Sequence, residues 1–103
     1  MQAVSRDLAE VRRIILESLS DYDVRVYLFG SHAQGAETRT SDIDVAIFPL
    51  EPLPTGMLSR LREELEASQI LQPVDLVDLS MADPAFCDRV IQEGILWSEP
   101  KSD

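Results

Sequence analysis

The sequence predicts a small α/β domain, a mixed sheet flanked by helices in the order α-β-turn-β-α-β-α, with room for a last short strand. Three observations predict it. Residues 24–29, 43–48 and 74–79 are short β-branched or aromatic runs of strand type. Between them lie segments whose apolar residues recur at helical spacing, and such alternation gives a sheet covered by helices. The link between the first two strands is short and polar, so it needs no helical crossover, and that pair can be antiparallel.

Each element has its own signal. Ser5 is a candidate cap for a helix over 6–20, with Asp7 in its first turn and Leu8, Val11, Ile15 and Leu19 at helical spacing. Asp21-Tyr22-Asp23 breaks it before the strand 24–29. Gly30-Ser31 ends that strand and opens a short helical turn over 32–34, and 35–41 reads as a loop. The strand 43–48 runs into Pro49, Pro52 and Pro54, a stiff connector. Thr55 is a candidate cap for a helix reaching about Leu71, with Leu58, Leu61 and Leu65 on one face. Pro73 stops it before the strand 74–79, and Asp83-Pro84 starts a helix that turns Phe86, Val90 and Ile91 inward and ends at Gly94. Ile95-Leu96-Trp97 reads as a last strand with Trp97 as a late core anchor, which gives one domain over 1–97 and a loose tail over 98–103.

Composition bounds the function. The 103 residues fit one domain with a small core. Nine basic against nineteen acidic residues give a formal charge of −10, which repels a phosphate backbone and argues against direct nucleic-acid binding. No apolar run approaches the roughly 20 residues that span a bilayer, so no membrane partner is expected. The single cysteine, Cys87, reads as a half-buried helix residue and fits a reducing cytoplasm.

The chemistry lies between Gly30 and Asp44. In a strand, alternate side chains share a face, so Asp42 and Asp44 project together about 6.5–7 Å apart along the chain. Two carboxylates at that distance repel unless a cation lies between them, and Mg²⁺ takes one or two carboxylates together with waters and substrate phosphates. The strand continues as Val45-Ala46-Ile47-Phe48, so the acid pair sits at the rim of a core strand. A glycine at a strand end lets backbone approach a ligand, and free N–H groups at the start of a helical turn favour an anion. Gly30 and Ser31 are therefore candidates for the phosphates and the acid pair for Mg²⁺, together a Mg-nucleotide site. Asp75, inside an apolar strand, is the candidate third acid of a two-metal site; Asp78 lies on the opposite face by alternation. His32 reads as a surface residue of the short helical turn.

Gly30-Ser31, ten residues, then Asp42-x-Asp44 resembles the signature of the DNA polymerase β-type nucleotidyltransferase superfamily. The short chain, the Ser41-Asp42-Ile43-Asp44 form and the later Val74-Asp75-Leu76-Val77 look like its smallest branch, the minimal nucleotidyltransferase (MNT) proteins. The resemblance runs from the leading helix to Glu93-Gly94. It implies that Asp42 and Asp44 hold Mg²⁺, that Asp75 assists, and that Gly30-Ser31 holds the phosphates of ATP. It implies a helical HEPN ribonuclease toxin as partner, with this chain as antitoxin, and transfer of AMP from ATP to a hydroxyl, a tyrosine of that toxin. In one departure, Gln34 stands where family members often carry Arg or Lys, which leaves Arg39 as the candidate cationic phosphate contact. Two other readings stay open: a non-catalytic nucleotide-binding module that neutralises the partner by complex formation, and a nucleotidyltransferase acting on a small molecule, against which the short chain argues.

Overall fold

A computed structural model describes residues 3–35 and 42–98, with side chains from Arg6 onward. The elements are α1 (Ala3–Ser18), β1 (Val24–Phe29), α2 (Ser31–Gln34), β2 (Ile43–Pro49), α3 (Met57–Ala67), β3 (Val74–Asp78), a 3₁₀ turn (Leu79–Met81), α4 (Pro84–Glu93) and β4 (Ile95–Ser98). The strands form one sheet in the order β3-β2-β1-β4. β1 pairs antiparallel with β2 and with β4, whereas β2 and β3 are parallel, joined through α3. The mixed sheet follows from the two link types: a short polar link for the hairpin, a helix for the crossover.

The two faces of the sheet are packed differently. One carries Val24, Val26, Leu28, Ile43, Val45, Ile47 and Leu76, buried against Val11, Ile14, Ile15 and Leu19 of α1 and Leu61 and Leu65 of α3. Ile15, Ile43, Ile47 and Leu61 are among its fully buried side chains, each contributing about 1.5–3 kcal/mol on transfer from water. By comparison, the Arg13 bridges to Glu10 and Glu17 lie on the exposed face of α1 and add little. The other face is smaller. Tyr27, Ala46, Leu79 and Val90 are its buried members, and Phe29 meets Phe86 of α4 edge to face with centroids 5.7 Å apart. At the strand mouths of this face Asp42 and Asp75 are exposed, and the site lies there.

Arginines reach a backbone carbonyl on each edge strand. Arg62 donates to the Leu76 carbonyl of β3 at 2.9 Å, and Arg12 to the Trp97 carbonyl of β4 at 3.4 Å. Trp97 packs against the main core as expected, and Cys87 is half-buried.

Several boundaries differ from the sequence expectation. α1 begins at Ala3, so Ser5 lies within the helix and is not its cap. α3 is capped by Gly56, in the left-handed conformation at φ 82°, and not by Thr55. It also stops at Ala67 and not near Leu71, because Ser68 turns to extended backbone and its hydroxyl donates to the Leu65 carbonyl at 2.5 Å. The freed residues lead into β3. Ile91 was expected inward yet is 40% exposed, since α4 rests on the sheet through Val90 and Phe86. Of the expected loose tail, Ser98 belongs to β4 and 99–103 lie outside the described residues.

Candidate active site

β1 delivers the chain to Gly30, whose φ of 75° and ψ of −151° fall in a region that essentially only glycine occupies. Its carbonyl accepts from both Ala33 N–H and Gln34 N–H at 3.1 Å, closing the single turn of α2. The Ser31 and His32 N–H groups precede those donors and have no carbonyl within the turn, which leaves them as backbone donors for an anion. Gln34 is exposed, and its amide donates to the Glu93 carbonyl at the end of α4 at 3.4 Å. Arg39 lies outside the described residues.

The strand register assembles the acids. Phe29 of β1 stands opposite Asp44 of β2, and Asp44 stands opposite Asp75 of β3. Directly paired residues share a face, and Asp42, two residues before Asp44, shares it too. The Ile43 N–H donates to the Pro73 carbonyl at 2.8 Å and pins the mouths of β2 and β3 together. The same register puts Asp78 opposite Ile47 on the other face. There its carboxylate caps the 3₁₀ turn, accepting from Ser80 N–H at 2.9 Å and from the Ser80 hydroxyl at 2.7 Å. Asp75 thus stands with the acid pair, and Asp78 has a structural task.

Gly30 and Asp44 touch. A Cβ built on Gly30 would collide with Asp44 Oδ2 and lie 3.2 Å from its Cγ. The turn that offers N–H donors therefore rests on the central carboxylate, and a side chain at position 30 would displace it.

Burial, then the charges of Asp75 and Asp42, push the Asp44 carboxyl above its ordinary range, against an opposing pull from His32. Between the unfolded and the raised pKa, the native chain holds the proton more tightly than the unfolded chain does. The stability this contributes is fully present below about pH 4 and is lost as pH rises through the raised value. In metal-free buffer, urea titrations from pH 4 upward should therefore show wild type losing stability relative to Asp44→Asn, and parallel curves for the two would contradict the shift.

Like charges gathered on one face suit a cation. Among the described residues no three acidic, histidine or cysteine side chains converge closely enough to hold a metal ion by themselves. Mg²⁺ needs no all-protein cage, being commonly held by one or two carboxylates plus waters and substrate phosphates.

The structure also shows what the sequence reading missed. His32, expected at the surface, is 6% exposed, and its Nε2 lies 3.3 Å from Nε2 of Gln72, 7% exposed. Asp7, placed by the sequence only in the first turn of the helix, is 5% exposed and accepts from Leu71 N–H and Gln72 N–H, both at 3.1 Å. A signal existed for Asp7: it lies four residues before Val11 on the stripe that continues to Ile15, which faces the core.

Comparison with known proteins agrees with this architecture. Residues 15–102 match the model of the polymerase beta nucleotidyltransferase family. The protein adenylyltransferase MntA of Shewanella oneidensis is 39% identical over 79 residues, 76% of this chain and 56% of its own length. The chain thus spans little more than half of that relative. A crystal structure of a toxin–antitoxin complex with AMP-PNP contains a chain 33% identical to this one, with a TM-score of 0.68 over 87% of this chain and 74% of that one. A rebuilt structure of the tri-AMPylated Shewanella oneidensis HEPN toxin with its MNT antitoxin gives 28% identity and a TM-score of 0.61 over 88% of this chain and 71% of that one. With the Gly-Ser turn and the Asp-x-Asp strand on adjoining strand ends, and a family match across most of its length, the chain belongs to the polymerase β nucleotidyltransferase family.

Proposed function

We propose that this chain is an antitoxin nucleotidyltransferase that transfers AMP from ATP to a hydroxyl, a tyrosine, of a HEPN toxin and thereby neutralises it. The observation that carries this reading is the contact of Gly30 with Asp44 on the face shared with Asp42 and Asp75. It brings donors for a triphosphate beside carboxylates for a cation. The relatives named as an adenylyltransferase and as an antitoxin bound to an AMPylated toxin support the choice of reaction and partner.

In this reading the Ser31 and His32 N–H groups and the Ser31 hydroxyl bind the triphosphate, with Arg39 as a further contact. Asp42 and Asp44, with Asp75, would hold two Mg²⁺. When bound, these ions neutralise phosphate charge and stabilise the charge that develops on the attacking and leaving oxygens. Asp75 orients the acceptor hydroxyl and takes its proton as the oxygen bonds to the α-phosphorus. The bond from that phosphorus to the β-phosphate oxygen breaks, and pyrophosphate leaves. The cytoplasm supplies the ATP and keeps Cys87 reduced. Among the described residues no helix is long and apolar enough to cross a membrane.

A second reading, neutralisation by complex formation without transfer, is favoured by Gln34, which offers no cation and is engaged with α4. Incubating the chain and its co-expressed HEPN partner with ATP labelled at the α-phosphate separates the two. Label on a partner tyrosine, with release of pyrophosphate, is the expected result. Neutralisation without label would establish the second reading, and a partner left both unlabelled and active would sink both.

A further inference from the structure

Three polar or charged side chains are buried among the described residues: Asp7 at 5%, His32 at 6% and Gln72 at 7% exposure. They form one series. Asp7 in α1 accepts the Leu71 and Gln72 N–H groups, and the Gln72 amide meets the His32 ring in α2. Burying such groups is costly against apolar side chains of similar size, so a continuous buried series calls for an explanation beyond packing.

Its placement supplies one. His32 lies two residues after Gly30, which rests on Asp44, and its ring acts electrostatically on Asp44. Gln72 precedes Pro73, whose carbonyl accepts Ile43 N–H at the mouth of β2, and it lies three residues before Asp75. The series therefore ties α2 to the strand mouths that carry all three acids. A turn of four residues, closed by two bonds to the Gly30 carbonyl and one from Gly35 N–H to the Ser31 carbonyl, is too short to hold its own orientation.

We propose that His32 is a positioning residue which, through its Nε2 contact with Gln72, sets the Gly30-Ser31 turn at a fixed distance from Asp44 and Asp75. The proposal rests on the nucleotide-site reading above and adds a task for side chains that touch neither phosphate nor metal. Asp7 anchors the series to α1, so the turn is referred to the main core as well as to α4 through Gln34.

The chemistry of the histidine substitutes provides the test. Glutamine places its amide near the position of Nε2 and can keep the bond to Gln72. Asparagine reaches only as far as Nδ1, an atom that is buried here without a hydrogen-bond partner. AMP-PNP with Mg²⁺ is titrated calorimetrically into wild type, His32→Gln, His32→Asn, Gln72→Leu and the His32→Asn/Gln72→Leu double variant, with melting curves as a control. His32→Gln should bind within about twofold of wild type. His32→Asn and Gln72→Leu should each weaken binding about tenfold, and the double variant no further, because both single changes break one link.

Losses that multiply in the double variant overturn the proposal. So does the reverse order, with asparagine retained and glutamine impaired, which would assign the role to Nδ1. Amide hydrogen exchange at positions 33 and 34, whose N–H groups donate to the Gly30 carbonyl, is followed without nucleotide and keeps the outcome separate from the proposed function. If wild type binds no nucleotide, the proposed function fails. The positioning role then stands if exchange is about tenfold faster in Gln72→Leu than in His32→Gln, and falls if the rates are equal. If His32→Asn does not fold, Gln72→Leu decides by the same two readouts.

Discussion

Replacing Asp44 by asparagine should lower nucleotidyl transfer by about a hundred- to a thousandfold while leaving the fold intact and, without metal, more stable. The two effects share one cause. Asp44 stands opposite Asp75, two residues from Asp42, partly withdrawn from water, and its charge is disfavoured where it sits. Asparagine keeps the shape that rests on Gly30 and removes the charge, so register and turn remain while a charged oxygen ligand is lost. Asp42→Asn should lose comparable activity but gain less stability, since Asp42 is exposed. Single-turnover transfer from labelled ATP, paired with melting curves in chelator, measures both. Transfer within a few-fold of wild type in Asp44→Asn would remove the acid pair from the mechanism, whatever the stability result.

Gly30→Ala should destabilise the fold and disrupt the site together. Two penalties coincide. The backbone at φ 75°, ψ −151° costs a residue with a Cβ about 1–3 kcal/mol, and that Cβ would also drive into the Asp44 carboxylate. Displacing a carboxylate at the site adds overpacking of about 1–3 kcal/mol, for a total of about 2–6 kcal/mol and a fall in melting temperature of at least about 10 °C. Nucleotide binding should be lost in whatever fraction remains folded, because turn and carboxylate cannot both keep their places. Gly35→Ala is the control. Gly35 also has a positive φ, 74°, but among the described residues nothing lies within 4 Å of a Cβ there. Its cost should stay near about 1–2 kcal/mol, with nucleotide binding retained. Equal penalties at the two glycines would mean that backbone strain, and not the contact with Asp44, governs position 30.

Much of this was legible in the chain. Strand β1 falls at the residues its β-branched and aromatic run predicts, and the short polar link correctly allowed an antiparallel first pair. Alternation alone put Asp42 with Asp44 and separated Asp75 from Asp78, because period 2 fixes the face of each side chain once a strand is given. What alternation cannot supply is register between strands. That Asp75 stands opposite Asp44, and not two residues along, depends on how α3 returns the chain, and α3 itself ends four residues sooner than its leucine spacing suggested. His32 was misread for a related reason. A lone histidine on a four-residue turn has no periodicity to betray burial, and its partner Gln72 is forty residues away in a segment that reads as a connector. Arg39 remains where sequence alone put it, since its loop lies outside the described residues.

The contact between Gly30 and Asp44 also has a thermodynamic side. One carboxylate is at once the wall of the anion turn and a member of the acid group, so occupancy at either place alters the free energy of the other. A cation that draws Asp44 toward Asp42 and Asp75 changes the surface the turn rests on, and a triphosphate that fixes the turn limits where Asp44 can go. Such coupling is reciprocal: whatever factor the cation adds to nucleotide affinity, the nucleotide adds to cation affinity. The chain would then respond to the product of the two concentrations, reading the metal-bound nucleotide as one species and discounting either component alone.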